Sequence, residues 1–132
     1  MTERSGRAPK HELPGTATQR DGYVEILLDE KLLCSRAHDD CVQAIKETAR
    51  QFQARRLMLV CDNHESLTSL TDAYAIGAKV AKEARGLRLC VLLTGRSVKA
   101  MDHFAETVAT NRGAAIRYFD NFDAGRRWLL GP

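Results

Sequence analysis

The sequence lacks the segments that mark secreted and membrane-spanning proteins. It holds no run of about 18 apolar residues, the length that a membrane-crossing helix requires. Its N-terminal stretch has no apolar centre of the kind that a signal peptide carries. We therefore expect no membrane span, no export, and a cytoplasmic protein.

The common nucleotide-binding loops are also missing. The chain contains neither Gly-x-Gly-x-x-Gly nor Gly-x-x-x-x-Gly-Lys-Ser/Thr, the two glycine-rich patterns that hold phosphates at the start of a helix. No Ser or Cys nucleophile stands at a recognisable strand-to-helix turn either. These absences predict a non-catalytic protein that carries no cofactor.

Cysteine is present but does not form a metal or disulfide pattern. Cys34, Cys41, Cys61 and Cys90 lie within apolar segments, and no two of them form a Cys-x-x-Cys pair. Without an export signal, a disulfide framework is not expected. Cys61 and His64 supply only two ligands, whereas a structural zinc site needs four. We predict buried, unpaired cysteines and no metal site.

The chain carries no large excess of charge of one sign. Residues 1–20 hold four basic and two acidic side chains, a balance of +2, which leaves 16 basic and 15 acidic residues, a balance of +1, for the rest of the chain. That balance argues against a nucleic-acid-binding surface. The first 20 residues are poor in large apolar side chains, so we predict a disordered tail at 1–20 and one domain at 21–132.

What is present is an alternation of strand and helix patterns. Strands are predicted at 23–34, where the chain could bend near Asp29, and at 57–61, 87–93 and 114–119. Helices are predicted from a cap at Asp39 or Asp40 to about Arg55, from a cap at Thr71 or Asp72 to Ala84, after Ser97, and around Trp128 and Leu129. Gly86 and Gly113 are placed to end helices in the left-handed backbone conformation. This alternation predicts an α/β fold with a mostly parallel sheet of four to five strands and four helices.

The C-terminal stretch "IRYFDNFDAGRRWLLG" carries a resemblance to a known family. Arg117, Phe119, the acidic turn at 120–123, Ala124 and the Trp128-Leu129 pair are similar to the last strand and helix of the SpoIIAA-like group, also called STAS-like for sulfate transporter and anti-sigma-factor antagonist. The resemblance covers residues 22–131. It implies a single-domain superhelix of β-α units.

The same resemblance bears on regulation by phosphorylation. Anti-sigma-factor antagonists of this kind begin the helix after the second core strand with an Asp-Ser-Ser-Gly stretch, and a serine there is phosphorylated. This chain keeps Asp72 but has Ala73, Tyr74 and Ala75 in place of the two serines and the glycine. The resemblance therefore implies a domain without the usual phosphoserine switch.

A ligand site is predicted where the parallel strands end. In open α/β sheets, ligands collect outside the carboxyl ends of the strands. Polar side chains follow two predicted strands there, and Ser97 could cap a helix whose amides, with Arg96, hold a carboxylate or phosphate. Tyr74 lies off the stripe set by Ile76, Val80 and Ala84 and could line an apolar pocket. The predicted binding residues are Asp62, His64, Tyr74, Thr94, Arg96 and Ser97.

Two functions remain open at this point. The first is a non-catalytic module that binds a small apolar or anionic ligand, since part of the SpoIIAA-like group is associated with lipid binding; a lipid or an amphipathic carboxylate would suit the site. The second is a regulatory protein-interaction domain or homodimer, with Leu67, Leu70 and Tyr74 forming an exposed apolar patch. The alternative is that no ligand site exists here: the helix after Ser97 is simply capped, and Arg96 is solvated.

Overall fold

A computed structural model describes residues 15–28, 38–62 and 69–131. Within these ranges five strands and four helices follow one another along the chain: β1 (Gly15–Gln19), β2 (Val24–Leu28), α1 (His38–Phe52), β3 (Arg56–Asp62), α2 (Leu70–Glu83), β4 (Arg88–Thr94), α3 (Ala100–Asn111), β5 (Ala115–Phe119) and α4 (Phe122–Leu130). The predicted α/β class is confirmed.

The five strands form one sheet in the order β1-β2-β3-β4-β5. β1 runs antiparallel to β2, while β2, β3, β4 and β5 are parallel to one another. β3 and β4 lie inside the sheet, and their residues are mostly buried. This agrees with the nearly continuous apolar character of both segments, which is typical of strands covered on two faces. The sheet is therefore mostly parallel, as predicted.

Alternate residues of the strands enter two different apolar clusters. Leu59 and Val91 belong to the larger one, together with Val42 and Ile45 of α1 and Val80 of α2. On the other face, Met58, Cys90 and Leu92 form a smaller cluster with Leu129 of α4. Because successive strand residues point to opposite faces, α1, α2 and α3 cover one side of the sheet and α4 covers the other.

Two aromatic rings and one arginine hold α4 against the sheet. The ring centroids of Phe119 and Trp128 are 5.9 Å apart, so these residues pack the last helix on the edge strand as their spacing predicts. Arg88 donates from Nε and Nη2 to the Trp128 carbonyl oxygen at 3.1 and 2.7 Å, and its guanidinium lies 3.9 Å from the indole centroid. These contacts satisfy a carbonyl group at the end of α4.

Left-handed glycines follow α2 and α3, as the sequence predicts, and a left-handed glutamine follows α1. Gly86 and Gly113 have φ values of +83° and +94°, which confirms the left-handed stops. In α1 the position that corresponds to Gly113 is held by Gln53, at φ +52°. The Ala54 amide donates to the Ala49 carbonyl at 2.9 Å, the long hydrogen bond of a Schellman motif. α1 therefore ends at Phe52 rather than near Arg55.

The starts of α1 and α2 differ from prediction. Asp39 and Asp40 lie inside α1 rather than capping it. The N-cap of α2 is Ser69, whose hydroxyl accepts from the Asp72 amide at 3.0 Å, so neither Thr71 nor Asp72 is the cap. Ser, Thr and Asp are all good caps, and a sequence that holds several of them in succession does not say which one acts.

The N-terminal boundary also needs correction. Residues 15–19, placed in the disordered tail, form β1 and pair with β2 from Gly15↔Leu28 to Gln19↔Val24. Backbone hydrogen bonds hold this edge strand to β2. Its side chain Ala17 packs against the larger cluster. Its sequence therefore gives little apolar signal. Residues 1–14, and the predicted bend near Asp29, lie outside the described ranges.

Among the described residues, no helix is both long enough and apolar enough to cross a membrane.

Candidate functional site

Two predicted site residues meet at the carboxyl ends of the strands. Asp62 and Thr94 are register partners in the parallel pair of β3 and β4. The Thr94 hydroxyl donates to Asp62 Oδ1 at 2.7 Å. The prediction that the segments after these two strands lie side by side is confirmed at this pair. Asn63 and His64 lie outside the described residues.

Arg96 forms an ion pair that the sequence does not reveal. Its Nη1 donates to Asp102 Oδ2 at 2.8 Å and its Nη2 donates to Asp102 Oδ1 at 3.1 Å. The Asp102 side chain is 1% exposed and that of Arg96 is 14% exposed. Two parallel bonds from one guanidinium fix both partners in orientation. Hydrogen bonding to the carboxylate raises the pKa of Arg96 above its usual value, so this group stays charged.

The pair changes the interpretation of Arg96 and Ser97. Arg96 is neither a solvated side chain nor a guanidinium held open for a ligand, because Asp102 takes two of its donors. The N-cap of α3 is Lys99, so Ser97 does not cap this helix as predicted. Instead, Asp102 Oδ2 also accepts from the Lys99 amide at 2.8 Å. One buried carboxylate therefore starts α3 and anchors Arg96.

An apolar cavity lies between the sheet and the layer of α1, α2 and α3. Its volume is about 90 Å³. Both the strands and the helices line it with apolar side chains, among them Leu59, Val91, Ile45 and Ile76. Arg96 and Asp102 also line it, and so does Lys79, which the helical pattern places on the outer surface of α2. The charged pair at the carboxyl ends of the strands is thus part of the wall of an interior cavity.

Two further polar groups line this cavity. Tyr118 of β5 is one of them, and burial raises the pKa of its hydroxyl above the usual range, so it stays protonated at neutral pH. Cys61 of β3 is the other and is 1% exposed. Both follow from strand alternation, since they lie on the face of the sheet that carries Leu59 and Ile116. Sequence reasoning missed Tyr118, although its period-2 position could have indicated it.

Tyr74 does not belong to this site. It is 46% exposed, and it does not line the cavity. Its hydroxyl accepts from Arg112 Nη2 at 2.6 Å, and the Arg112 guanidinium lies 5.1 Å from the centre of its ring. Arg112 is the C-cap of α3, so Tyr74 contacts the end of the neighbouring helix. The predicted joint role of Tyr74 and Arg96 in one pocket is not supported by this placement.

The ranges that the structure covers contain no group of three or more His, Cys, Asp or Glu side chains placed to hold a metal ion. Of the two candidate zinc ligands named from the sequence, Cys61 lies within those ranges and His64 lies outside them.

The buried cysteines provide a test of the described core. Cys90 is completely buried, and burial raises its pKa to about 12. An unfolded thiol ionises near its usual pKa of 9.0, whereas the folded one stays protonated there. The unfolded state therefore binds fewer protons above that pH, and stability falls as the pH rises.

We expect Cys90→Ala to remove part of this alkaline loss of stability. Chemical denaturation of wild type and variant between about pH 7 and 10 measures the difference in slope. Labelling with Ellman's reagent, in a Cys34→Ser, Cys41→Ser background, should leave Cys90 unmodified until the protein unfolds, because the thiolate is the reactive species. Equal pH slopes, or rapid native labelling of Cys90, would contradict its burial.

Comparison of the chain with protein-family models, with curated proteins and with solved structures finds no match.

Proposed function

We propose that the chain is a SpoIIAA-like (STAS-like) domain that acts as a non-catalytic binding module, and that its interior cavity takes the apolar part of a short amphipathic carboxylate. The observation that carries the proposal is an apolar cavity with charged groups in its wall at the carboxyl ends of the parallel strands. The strand order with one antiparallel edge strand is compatible with the STAS-like arrangement.

The volume of the cavity favours a short ligand over a long-chain lipid. A space of about 90 Å³ compares with about 30 Å³ for one water molecule in the liquid and about 150 Å³ for an engineered cavity that binds benzene. Pockets for drug-sized ligands measure about 300–1,000 Å³. The cavity therefore suits an apolar group of a few carbon atoms.

The charges in the cavity wall favour an anionic head group. Lys79, Arg96 and Asp102 are its charged lining residues, two cations against one carboxylate, which leaves a formal balance of +1. A net positive surrounding stabilises the charged form of a carboxylate. In the proposed complex the carboxylate lies at the Lys79 side of the wall, while the alkyl group occupies the space beside Val91 and Ile76.

The test is a titration with straight-chain carboxylates from acetate to octanoate, followed by NMR chemical shifts, beside native mass spectrometry of protein purified from cells. We expect members of the series to bind and Val91→Phe to weaken binding at least about tenfold, because the ring fills the cavity. Leu92→Phe is the matched control, since Leu92 is the next residue of β4 and faces the α4 side.

Circular dichroism and thermal unfolding must show both variants folded. If no carboxylate binds to the wild type, or if Val91→Phe binds the series as tightly as Leu92→Phe does, the proposed site is wrong.

One observation favours the alternative function, a protein-interaction surface. Leu70 and Tyr74, at the start of α2, are 58% and 46% exposed. Adjacent exposed apolar side chains of this size are typical of contact surfaces. Leu67, the third member of the predicted patch, lies outside the described residues.

The interaction surface is tested by Leu70→Asp. We expect this change to abolish self-association in sedimentation velocity, or to remove a partner recovered by pull-down, without lowering the melting temperature. Leu27→Asp is the control, because Leu27 is 46% exposed on β2 and remote in sequence from α2. Identical behaviour of wild type, Leu70→Asp and Leu27→Asp in both assays would contradict this second function.

A further inference from the structure

A basic groove lies at the opposite edge of the sheet from the proposed cavity site. It runs between the C-terminal ends of α1 and α2, where β3 and β4 begin, and its volume is about 470 Å³. Its cations are Lys46, Arg50, Arg55 and Arg85, and its one carboxylate is Glu83, a formal balance of +3. We call it the arginine groove. Its volume is within the range of about 300–1,000 Å³ that is usual for small-molecule sites.

Two of these cations are not neutralised within the fold. Lys46 pairs with Glu83 at 2.9 Å, and Arg50 pairs with Glu47 at 3.2 Å. In the part of the chain that the structure describes, no ion pair or side-chain hydrogen bond involves Arg55 or Arg85. Both are exposed. The groove thus presents two guanidinium groups, each able to donate two parallel hydrogen bonds to an oxyanion.

The negative ends of the helix dipoles do not account for both arginines. A basic residue in the last turn compensates the carbonyl groups there, and the effect falls off within that turn. Arg50 and Lys82 already hold that position in α1 and α2. Arg55 and Arg85 follow the last residues of the two helices, Phe52 and Glu83, so both lie beyond the last turns.

Gln53 supplies an independent observation. Among the described residues it is the one non-glycine position with a positive φ. A side chain in this conformation destabilises the backbone, and such strain is concentrated at functional sites. The corresponding position after α3 is Gly113, where Ala114 N donates to the Ala109 carbonyl as Ala54 N does to Ala49. Gln53 lines the arginine groove, where its amide could donate to a bound anion, and it also lines the adjoining depression beside Arg56.

We propose that the arginine groove binds a small molecule that carries two or more oxyanion groups, phosphates or carboxylates, through Arg55, Arg85 and the amide of Gln53. Two separate guanidinium groups match two separate anionic groups on one ligand. The groove is bounded on two sides by helix ends, which suits a compact molecule rather than a long polyanion.

The experiment uses pyrophosphate and citrate as probes, each titrated by calorimetry at low ionic strength. We expect at least one to bind to the wild type, and the comparison tells phosphate from carboxylate recognition. Arg55→Gln, Arg85→Gln together should weaken binding at least about tenfold, because hydrogen bonds between charged groups are lost. The control is Arg126→Gln, Arg127→Gln, which removes the same charge from α4 on the other side of the sheet.

Two results would overturn the proposal. One is that neither probe binds to the wild-type protein. The other is that both double variants weaken binding equally, since the attraction would then come from net charge alone.

Gln53→Gly separates a binding role from a structural one. Glycine adopts the positive φ without strain, so the variant should melt at a higher temperature than the wild type. If the amide contacts the anion, the stabilised variant should nevertheless bind the probe several-fold more weakly. A variant that is more stable and binds as tightly as the wild type would remove Gln53 from the proposed site.

Discussion

Replacing Asp102 with alanine should destabilise the fold by about 3–5 kcal/mol, the range found when one partner of a buried ion pair is removed. The change leaves the Arg96 guanidinium, which is 14% exposed, without its two bonds to a carboxylate. It also removes the acceptor for the Lys99 amide at the start of α3. Urea denaturation of wild type and variant measures the loss as a shift of the unfolding midpoint.

A double variant distinguishes a buried charge from a general packing defect. When both members of a buried pair are replaced by apolar side chains of similar size, the fold often recovers. We expect Arg96→Met, Asp102→Leu to be more stable than Asp102→Ala. An Asp102→Ala variant as stable as the wild type would mean that the pair is not buried as described.

The second large effect on stability is expected for Gly77→Ala. Two opposing contributions to the free energy of unfolding, helix propensity and steric overlap, decide whether the change stabilises or destabilises the fold. In an exposed helix position, alanine is favoured over glycine by about 1 kcal/mol. In α2, however, a Cβ atom at residue 77 would lie 2.6 Å from the Ala105 carbonyl oxygen and 2.8 Å from Val108 Cβ. Overpacking of this kind destabilises by about 1–3 kcal/mol, occasionally more.

Because the nearest atom belongs to the backbone of α3, the helices must separate, and we expect the steric term to exceed the propensity term. Gly77→Ala should therefore lower stability by about 2 kcal/mol. Ala75→Gly, at an exposed position of the same helix, measures the propensity term by itself. A stabilising Gly77→Ala would show that α2 and α3 do not approach each other this closely.

The sequence predicts the parts of this fold that depend on apolar periodicity. The continuous apolar runs of β3 and β4, and the four-residue spacing of Ile76, Val80 and Ala84, each follow from which side chains must be buried. All three residues pack in the larger cluster or against it. Gly86 and Gly113 were predictable for a separate reason, since only glycine adopts a positive φ without strain.

The parts that failed depend on contacts that periodicity does not encode. β1 is an edge strand of mostly small and polar residues, so its backbone pairing leaves no apolar pattern to read. Arg96 and Asp102 are six residues apart, a spacing that matches no helical pair rule. Tyr74 was correctly placed off the apolar stripe, but its direction depends on where Arg112 ends α3. Predicting any of these three features requires the tertiary structure.

The most direct test of the binding site is a crystal structure of the protein grown with butyrate. We expect the alkyl group to occupy the space between Val91 and Ile76, with the carboxylate within hydrogen-bonding distance of Lys79. Ligand density at another place, or a core in which Val91 and Ile76 close the cavity and no butyrate is bound, would contradict it.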